Sequence, residues 1–209
     1  MIEVFDIEDV EFLRDLEFTQ QKYDYSHKDT AKRLLHDAYI KDKTVSEKIL
    51  SHYNHIYKDW LRWHDLRFIF RFLPNKPTML PHQDFTSDAI REIDGKVKRI
   101  LIYLNYEWNN EWGGGTYFSE AKNYNPTRLN TPSGTNKRKF MQEALLIKNK
   151  PGRAVIFDAG DWHIPEEFTG NHTERLVFGS AFIHPNELSL VERLIVPNFQ
   201  AGGHIIEID

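Results

Sequence analysis

The 209-residue chain contains no cysteine. That excludes a disulfide framework, a thiolate zinc site, an iron–sulfur cluster and a cysteine nucleophile. An excess of basic charge is missing too. With 27 Lys and Arg against 31 Asp and Glu, the net charge is −4, so a general nucleic-acid binder is not expected. No apolar run approaches the roughly 18 residues of a membrane span, and the opening Met1-Ile2-Glu3-Val4-Phe5-Asp6 lacks the basic start of a signal peptide. These absences predict a soluble, cytoplasmic protein with no membrane partner, for which nucleic-acid binding would need a local basic patch. The length suits a single domain, 1–209, large enough to bury a core without staples. What the chain does have is ten histidines. With no thiolate to compete, His/carboxylate metal chemistry is left open.

The hydrophobic pattern changes near residue 65. Before it, Ile7, Val10, Leu13 and Leu16 recur at helical spacing, as do Ile49, Tyr53, Ile56 and Trp60. Thr44-Val45-Ser46-Glu47 reads as a capping box opening the second stretch, and a further helix is predicted over 31–39. After it come short apolar runs divided by Gly, Pro and Asn. They predict strands near 67–73, 79–84, 97–106, 114–119, 143–149, 153–158, 162–168 and 174–183. Eight short strands in about 115 residues suggest a closed or double-sheet β domain such as a jelly roll. The fold class is therefore mainly β with N-terminal helices (α+β). A helical buttress is expected over 1–65, a β core over 66–185 and a C-terminal extension over 186–209. The polar segment 120–140, with Lys122, Arg128, Lys137, Arg138 and Lys139, reads as a loop. Its two readings are a solvated insertion or a mobile substrate lid.

On extended backbone, residues i and i+2 share a face, so His82 and Asp84 can present nitrogen and oxygen to one metal. Alone the triplet says little, and it recurs at His27-Lys28-Asp29, ahead of a predicted helix that Asp29 or Thr30 would cap. Its company gives it weight. His163 follows the strong strand Pro151–Asp158, and Arg175 opens the last strong strand twelve residues later. Two histidines and a carboxylate make a facial triad that leaves three positions open, the arrangement suited to non-haem Fe(II) holding a co-substrate and O₂. An arginine on a neighbouring strand is a natural fork for a distant carboxylate. His172 is the rival to His163, three residues before Arg175. Along the run at 99–105, Arg99, Leu101, Tyr103 and Asn105 share the face suited to a barrel interior. Ile100, Ile102 and Leu104 share the face suited to packing on helices. On the last strand Arg175, Val177, Gly179 and Ala181 share a face, a charged head over small neighbours. His52, His55, His64, His184 and His204 have no partners at metal spacing, and the tryptophans, Trp162 among them, read as core or rim packing.

At these residues the chain resembles the iron(II)/2-oxoglutarate-dependent oxygenases, in particular the prolyl-4-hydroxylase-like branch. The matching parts are Pro81–Asp84, Arg99–Asn105, Gly113–Phe118, Pro151–Arg153 with Ile156-Phe157, His163, and Glu174–Leu176. The likeness covers roughly 67–183. It implies a double-stranded β-helix, the cupin-like form of the jelly roll. It also implies Fe(II) bound by His82, Asp84 and His163, and 2-oxoglutarate held by Arg175, with ascorbate as an accessory reductant. The expected activity is that of a dioxygenase, a hydroxylase acting on a peptidyl or free amino-acid side chain, proline included, with O₂ as oxidant and succinate and CO₂ as co-products. Members of this branch often carry a tyrosine nine or ten residues before the first ligand. Phe72 and Leu73 stand there instead, and Tyr103 is the candidate to supply the phenol. Asp84 argues against a halogenase, which needs that position open. Two other readings stay open: a zinc-dependent hydrolase or isomerase, since the same ligands suit Zn²⁺, and a non-catalytic cupin-like small-acid binding protein.

Overall fold

The alternation around Val97–Tyr103 organises the molecule. In the computed structural model, residues 1–16, 43–62, 68–72, 74–75, 81–83, 92, 95–120, 134–169, 174–187 and 189 are described. In chain order the elements are β1 (Glu3–Phe5), α1 (Lys43–Ser51), β2 (Leu61–Arg62), β3 (Phe68–Phe72), β4 (Val97–Tyr103), β5 (Thr116–Ser119), α2 (Gly134–Glu143), β6 (Leu145–Ile147), β7 (Ala154–Asp158), β8 (Trp162–Pro165) and β9 (Arg175–Ile183). The protein is mainly β, with two antiparallel sheets. The larger runs β1-β7-β4-β9-β2 with β3 also paired to β9, and the smaller runs β6-β5-β8.

β4 sits between β7 and β9, pairing Arg99 with Phe157 on one side and with Ala181 on the other. Such cross-strand partners share a face. Ile100 and Ile102 therefore join Ile156, Phe178 and Phe182 on one side of the sheet, packed against Ile49, Leu50, Tyr53 and Ile56. Leu101 and Tyr103 join Val155, Phe157 and Val177 on the other side, facing Phe118 and Ile147 of the small sheet. The two faces divide as the alternation predicts: helices behind, a space between sheets in front. β7 and most of β9 are buried on both faces, which is why both read as near-continuous apolar runs.

Several expectations need correction. Residues 7–16 are not an amphipathic helix. β1 pairs with β7, and only Glu11–Leu13 makes a single 3-10 turn. Phe12, Leu13 and Leu16 are still buried. The stretch expected to be a helical buttress thus also supplies β1 and β2 to the large sheet. The helix expected around 49–60 ends at Ser51, and Tyr57 then takes the left-handed conformation, φ +49°, which an α-helix cannot absorb. Ile49, Tyr53 and Ile56 reach the core all the same. Thr44 lies inside α1 rather than capping it. The segment expected as a loop over 120–140 contains the start of α2, anchored by Phe140 at 1 % exposure. Its residues 121–133, and the helix expected over 31–39, lie outside the described residues. So do His27, Asp29 and the rest of the strand expected over 79–84, apart from 81–83. Among the described residues no helix is long and apolar enough to cross a membrane.

Candidate metal and dicarboxylate site

A cavity of about 210 Å³ lies between the two sheets. Pockets that hold drug-sized ligands measure about 300–1,000 Å³, so this smaller space suits a compact molecule. The large sheet supplies Arg99, Leu101, Val177 and Arg175, with Phe70 and Phe72 as a side wall. The small sheet supplies Thr116, His163 and Pro165, and His82 and Gln83 close one end.

The local sequence explains how the histidines meet. Asp158-Ala159-Gly160-Asp161 is a tight turn, closed by the Asp161 amide donating to the Asp158 carbonyl at 2.8 Å. The Asp161 carboxylate accepts from the Asp158 amide at 3.2 Å. That turn sends β8 back along β5 and puts His163 two residues on. His82 and His163 then exchange backbone hydrogen bonds of 3.1 and 3.0 Å, an isolated antiparallel bridge. Gln83 Nε2 donates to the Gly160 carbonyl and fastens the same corner. The two imidazoles end with ring centroids 4.3 Å apart. His163 is buried against Phe118 and Phe157. Its Nδ1 lies 3.4 Å from the Asp161 carbonyl, a contact that orients the ring.

Arg175 lies in the same cavity, 1 % exposed. Its guanidinium packs on the faces of Phe72 (4.8 Å) and Tyr103 (5.3 Å). Nη2 donates to Thr116 Oγ1 at 3.0 Å, while Nε and Nη1 have no partner among the described residues. Burial pulls its pKa below the ordinary arginine value, opposed by Tyr103 and Glu166. Among the described residues no carboxylate forms an ion pair with Arg175, although buried charges are ordinarily paired. Tyr103 is fully buried, and its hydroxyl donates to Thr116 Oγ1 at 3.0 Å, with the Ile147 carbonyl 3.3 Å away. Burial raises its pKa, and Arg175 acts the other way. Tyr103 thus stands behind Thr116 and beside Arg175.

The Gly113-Gly114-Gly115 run makes this packing feasible. Gly114 has φ +78°, and a Cβ there would lie 2.7 Å from Trp108 Cζ2 and 3.4 Å from Arg175 Cδ. Only glycine lets the loop pass so close to the arginine stem. The space expected above the small residues of β9 is partly taken, because the Phe70 ring lies 2.9 Å from where a Gly179 Cβ would be.

Of the residues singled out from sequence, His82, His163 and Arg175 share this cavity, and Tyr103 borders it through Arg175. Asp84 and the rival His172 lie outside the described residues, as do His64 and His204. Asp84 follows Gln83 directly, at the spacing that shares a face with His82 on extended backbone. Among the described residues no three His, Asp or Glu side chains converge on one point. His52 stacks on Phe12 at 3.9 Å, His184 meets Trp60 edge-on, and His55 is on the surface. Trp108 packs on Trp112 and Phe168, and donates to the Gly113 carbonyl. Sequence reasoning did not single out Gln83, Arg99, Thr116 or Phe70 as site residues. Arg99 and Thr116 carried a signal, a polar residue on the inward face of an otherwise apolar strand.

No protein-family model matches the chain, and no curated protein matches it in sequence. Solved structures do resemble it. A prolyl hydroxylase from Trichoplax adhaerens, in complex with a hypoxia inducible factor oxygen degradation domain peptide fragment, aligns over 90 % of this chain and 86 % of its own, at 14 % identity and a TM-score of 0.48. A Pseudomonas putida prolyl-4-hydroxylase aligns over 87 % and 91 %, at 14 % identity and 0.40. The non-heme alpha ketoglutarate dependent carbocyclase SnoK from nogalamycin biosynthesis aligns over 67 % and 59 %, at 12 % identity and 0.44. The cavity's own geometry, not these likenesses, carries the reading that follows.

Proposed function

We propose that the chain is an Fe(II)- and 2-oxoglutarate-dependent dioxygenase, a hydroxylase built on a double-stranded β-helix core. The observation that carries the reading is the buried Arg175 guanidinium, with two nitrogens unpartnered among the described residues, in the same small cavity as the His82–His163 pair. Spacing supports it. Thr116, which holds Arg175, pairs with Pro165, and Pro165 is two residues, about 7 Å, along β8 from His163. That span suits a short diacid with one end at the histidines and the other at the arginine.

The residues fit the metal. The His82 and His163 imidazoles, together with the carboxylate of Asp84 two residues after His82 in sequence, are the nitrogen and oxygen donor types that ferrous iron takes as a facial triad. Bound there, iron supplies O₂ activation and the oxidative decarboxylation of 2-oxoglutarate to succinate and CO₂. The chain's own residues bind and orient. Arg175 offers a bidentate edge to the far carboxylate, because Thr116 occupies only one Nη2 hydrogen. Phe72 and Tyr103 hold the guanidinium plane from its faces. Phe70, Leu101 and Val177 exclude water, which strengthens every charge contact inside. Tyr103 belongs to the co-substrate end through Thr116 and Arg175.

The prime substrate, on this reading, is a peptidyl or free amino-acid side chain, with proline one candidate, and the protein acts in the cytoplasm. Metal analysis after anaerobic purification, followed by 2-oxoglutarate turnover, tests the reading. Iron with decarboxylation supports it; zinc with none indicates a hydrolase or isomerase; acid binding without metal indicates a binding protein. A cell lysate incubated with enzyme, Fe(II) and 2-oxoglutarate then identifies the substrate as the molecule that gains one oxygen.

A further inference from the structure

Arg175 is an improbable side chain to find where it is. It is wholly buried and carries two guanidinium nitrogens without partners among the described residues. In the absence of an anion, its desolvated charge favours any backbone movement that would let it reach water. It also stands at the very start of β9, and strand ends open more readily than strand centres. Something must hold this end of the strand.

The regular ladder does not do so alone. On β4 the last paired residue is Tyr103, opposite Val177. One more backbone bond follows, from the Leu104 amide to the Leu176 carbonyl at 3.0 Å. Beyond that point a side chain replaces the strand. Asn105 Oδ1 accepts from the Leu176 amide at 2.8 Å, and Asn105 Nδ2 donates to the Glu174 carbonyl at 3.0 Å. A single carboxamide thus takes the donor after Arg175 and the acceptor before it, as a backbone peptide in the next rung would. The β3 side of β9 contributes pairing of its own, with Phe72 opposite Arg175.

We propose that Asn105 is a positioning residue for co-substrate binding: by clamping the backbone on both sides of Arg175, it holds the guanidinium aimed into the cavity. The proposal rests on the reading of Arg175 as the partner of the far carboxylate. Asn105 touches neither the metal site nor the acid. Its effect is confined to ligands that use Arg175, and a general loss of stability would not be so selective.

Two ligands separate these cases. 2-Oxoglutarate carries the far carboxylate; 2-oxobutyrate has the same 2-oxo acid end without it. Each is titrated calorimetrically into the Fe(II)-loaded protein under anaerobic conditions, with exchange of the Leu176 amide hydrogen followed in parallel. Asn105→Ala is expected to weaken 2-oxoglutarate about tenfold or more, equivalent to about 1.4 kcal/mol per decade. It is expected to leave 2-oxobutyrate within about twofold, leave iron content unchanged and speed Leu176 exchange. Equal weakening of both acids, or of neither, would overturn the proposal. Wild-type protein that binds the two acids equally well would overturn the underlying reading of Arg175, and the proposal with it. Should Asn105→Ala fail to fold, Asn105→Asp keeps an acceptor for the Leu176 amide and loses only the donor to Glu174. It takes the same titrations, with the same selective loss expected and the same results counting against it.

Discussion

Replacing Arg175 by methionine should separate stability from binding, with opposite signs. Among the described residues Arg175, 1 % exposed, makes one side-chain hydrogen bond, 3.0 Å to Thr116 Oγ1, with Nε and Nη1 unpartnered. Its desolvation is therefore poorly compensated. Methionine has a similar reach and a soft thioether to lie between the Phe72 and Tyr103 rings. Replacing buried charge by apolar side chains of similar volume is commonly neutral or stabilising by about 1–4 kcal/mol. Thr116 Oγ1 keeps the Tyr103 hydroxyl as a partner. The ligand-free variant should thus melt no lower than the wild type. Each kcal/mol gained raises Tm by about 2–4 °C for a protein of this size. Binding should move the other way. A charge-assisted contact to carboxylate is worth about 1.5–3 kcal/mol, so Kd for 2-oxoglutarate should rise about tenfold to a hundred-and-fiftyfold at about 1.4 kcal/mol per decade. The thermal shift that 2-oxoglutarate gives the wild type should disappear with it. Melting curves with and without the acid, on Fe(II)-loaded protein under anaerobic conditions, measure both quantities. A variant that melts lower without ligand and binds 2-oxoglutarate as tightly as the wild type would show Arg175 to be structural and refute the reasoning.

The remaining expectations are simpler. His82→Ala or His163→Ala should leave a folded protein with little iron and no decarboxylation, measured by elemental analysis and succinate assay, whereas full iron in His163→Ala with loss in His172→Ala would move the distal ligand. Gly114→Ala combines a left-handed φ of +78° with a 2.7 Å approach to Trp108; it should cost about 1–3 kcal/mol in denaturant titration and weaken 2-oxoglutarate through the Arg175 stem. Asp6 is held at a pKa of about 2, below its ordinary 3.8, first by its hydrogen bond from Arg153 and also by Lys150. Its folded-state pKa is depressed, so its contribution is present above about pH 3.8 and is lost as pH falls toward 2. After discounting for solvent screening this is under about 1 kcal/mol, and Asp6→Asn should flatten stability across that window. Phe140→Ala, at 1 % exposure on α2, should cost about 3 kcal/mol and leave iron binding intact; loss of iron would tie α2 to the metal site.

How much of this was legible in the sequence follows from element length and from what each face buries. β4 and β9 were readable because seven and nine residues are enough for alternation to show, with Arg99 and Arg175 marking the cavity side. β1 and β2 span three and two residues, too short for any period to register. α2 was missed because Gly134–Glu143 offers only Phe140 and Met141 as large apolar residues, so no stripe appears, and the helix is held chiefly by one deep anchor. The helical period through Trp60 runs on past Ser51, where α1 ends, and past the left-handed Tyr57, backbone changes that side-chain periodicity does not record. At the site, His163 and Arg175 were visible as residue types in a spacing. Thr116 shows only as a polar residue on an inward face, and its partner does not show, because its role is a tertiary contact with Arg175, 59 residues away in sequence.

The central claim is that this cavity couples one metal to one 2-oxo diacid, and the iron-dependent yield of succinate per 2-oxoglutarate consumed tests it most directly. Protein purified without oxygen is given one equivalent of Fe(II) and excess 2-oxoglutarate, then exposed to O₂, and succinate is quantified by NMR against 2-oxoglutarate consumed. The account predicts succinate in one-to-one ratio with 2-oxoglutarate lost, dependent on iron, not supported by zinc, and abolished in His82→Ala and His163→Ala. Succinate formation that is absent in the iron-loaded wild type, or that persists undiminished in both histidine variants, would contradict it.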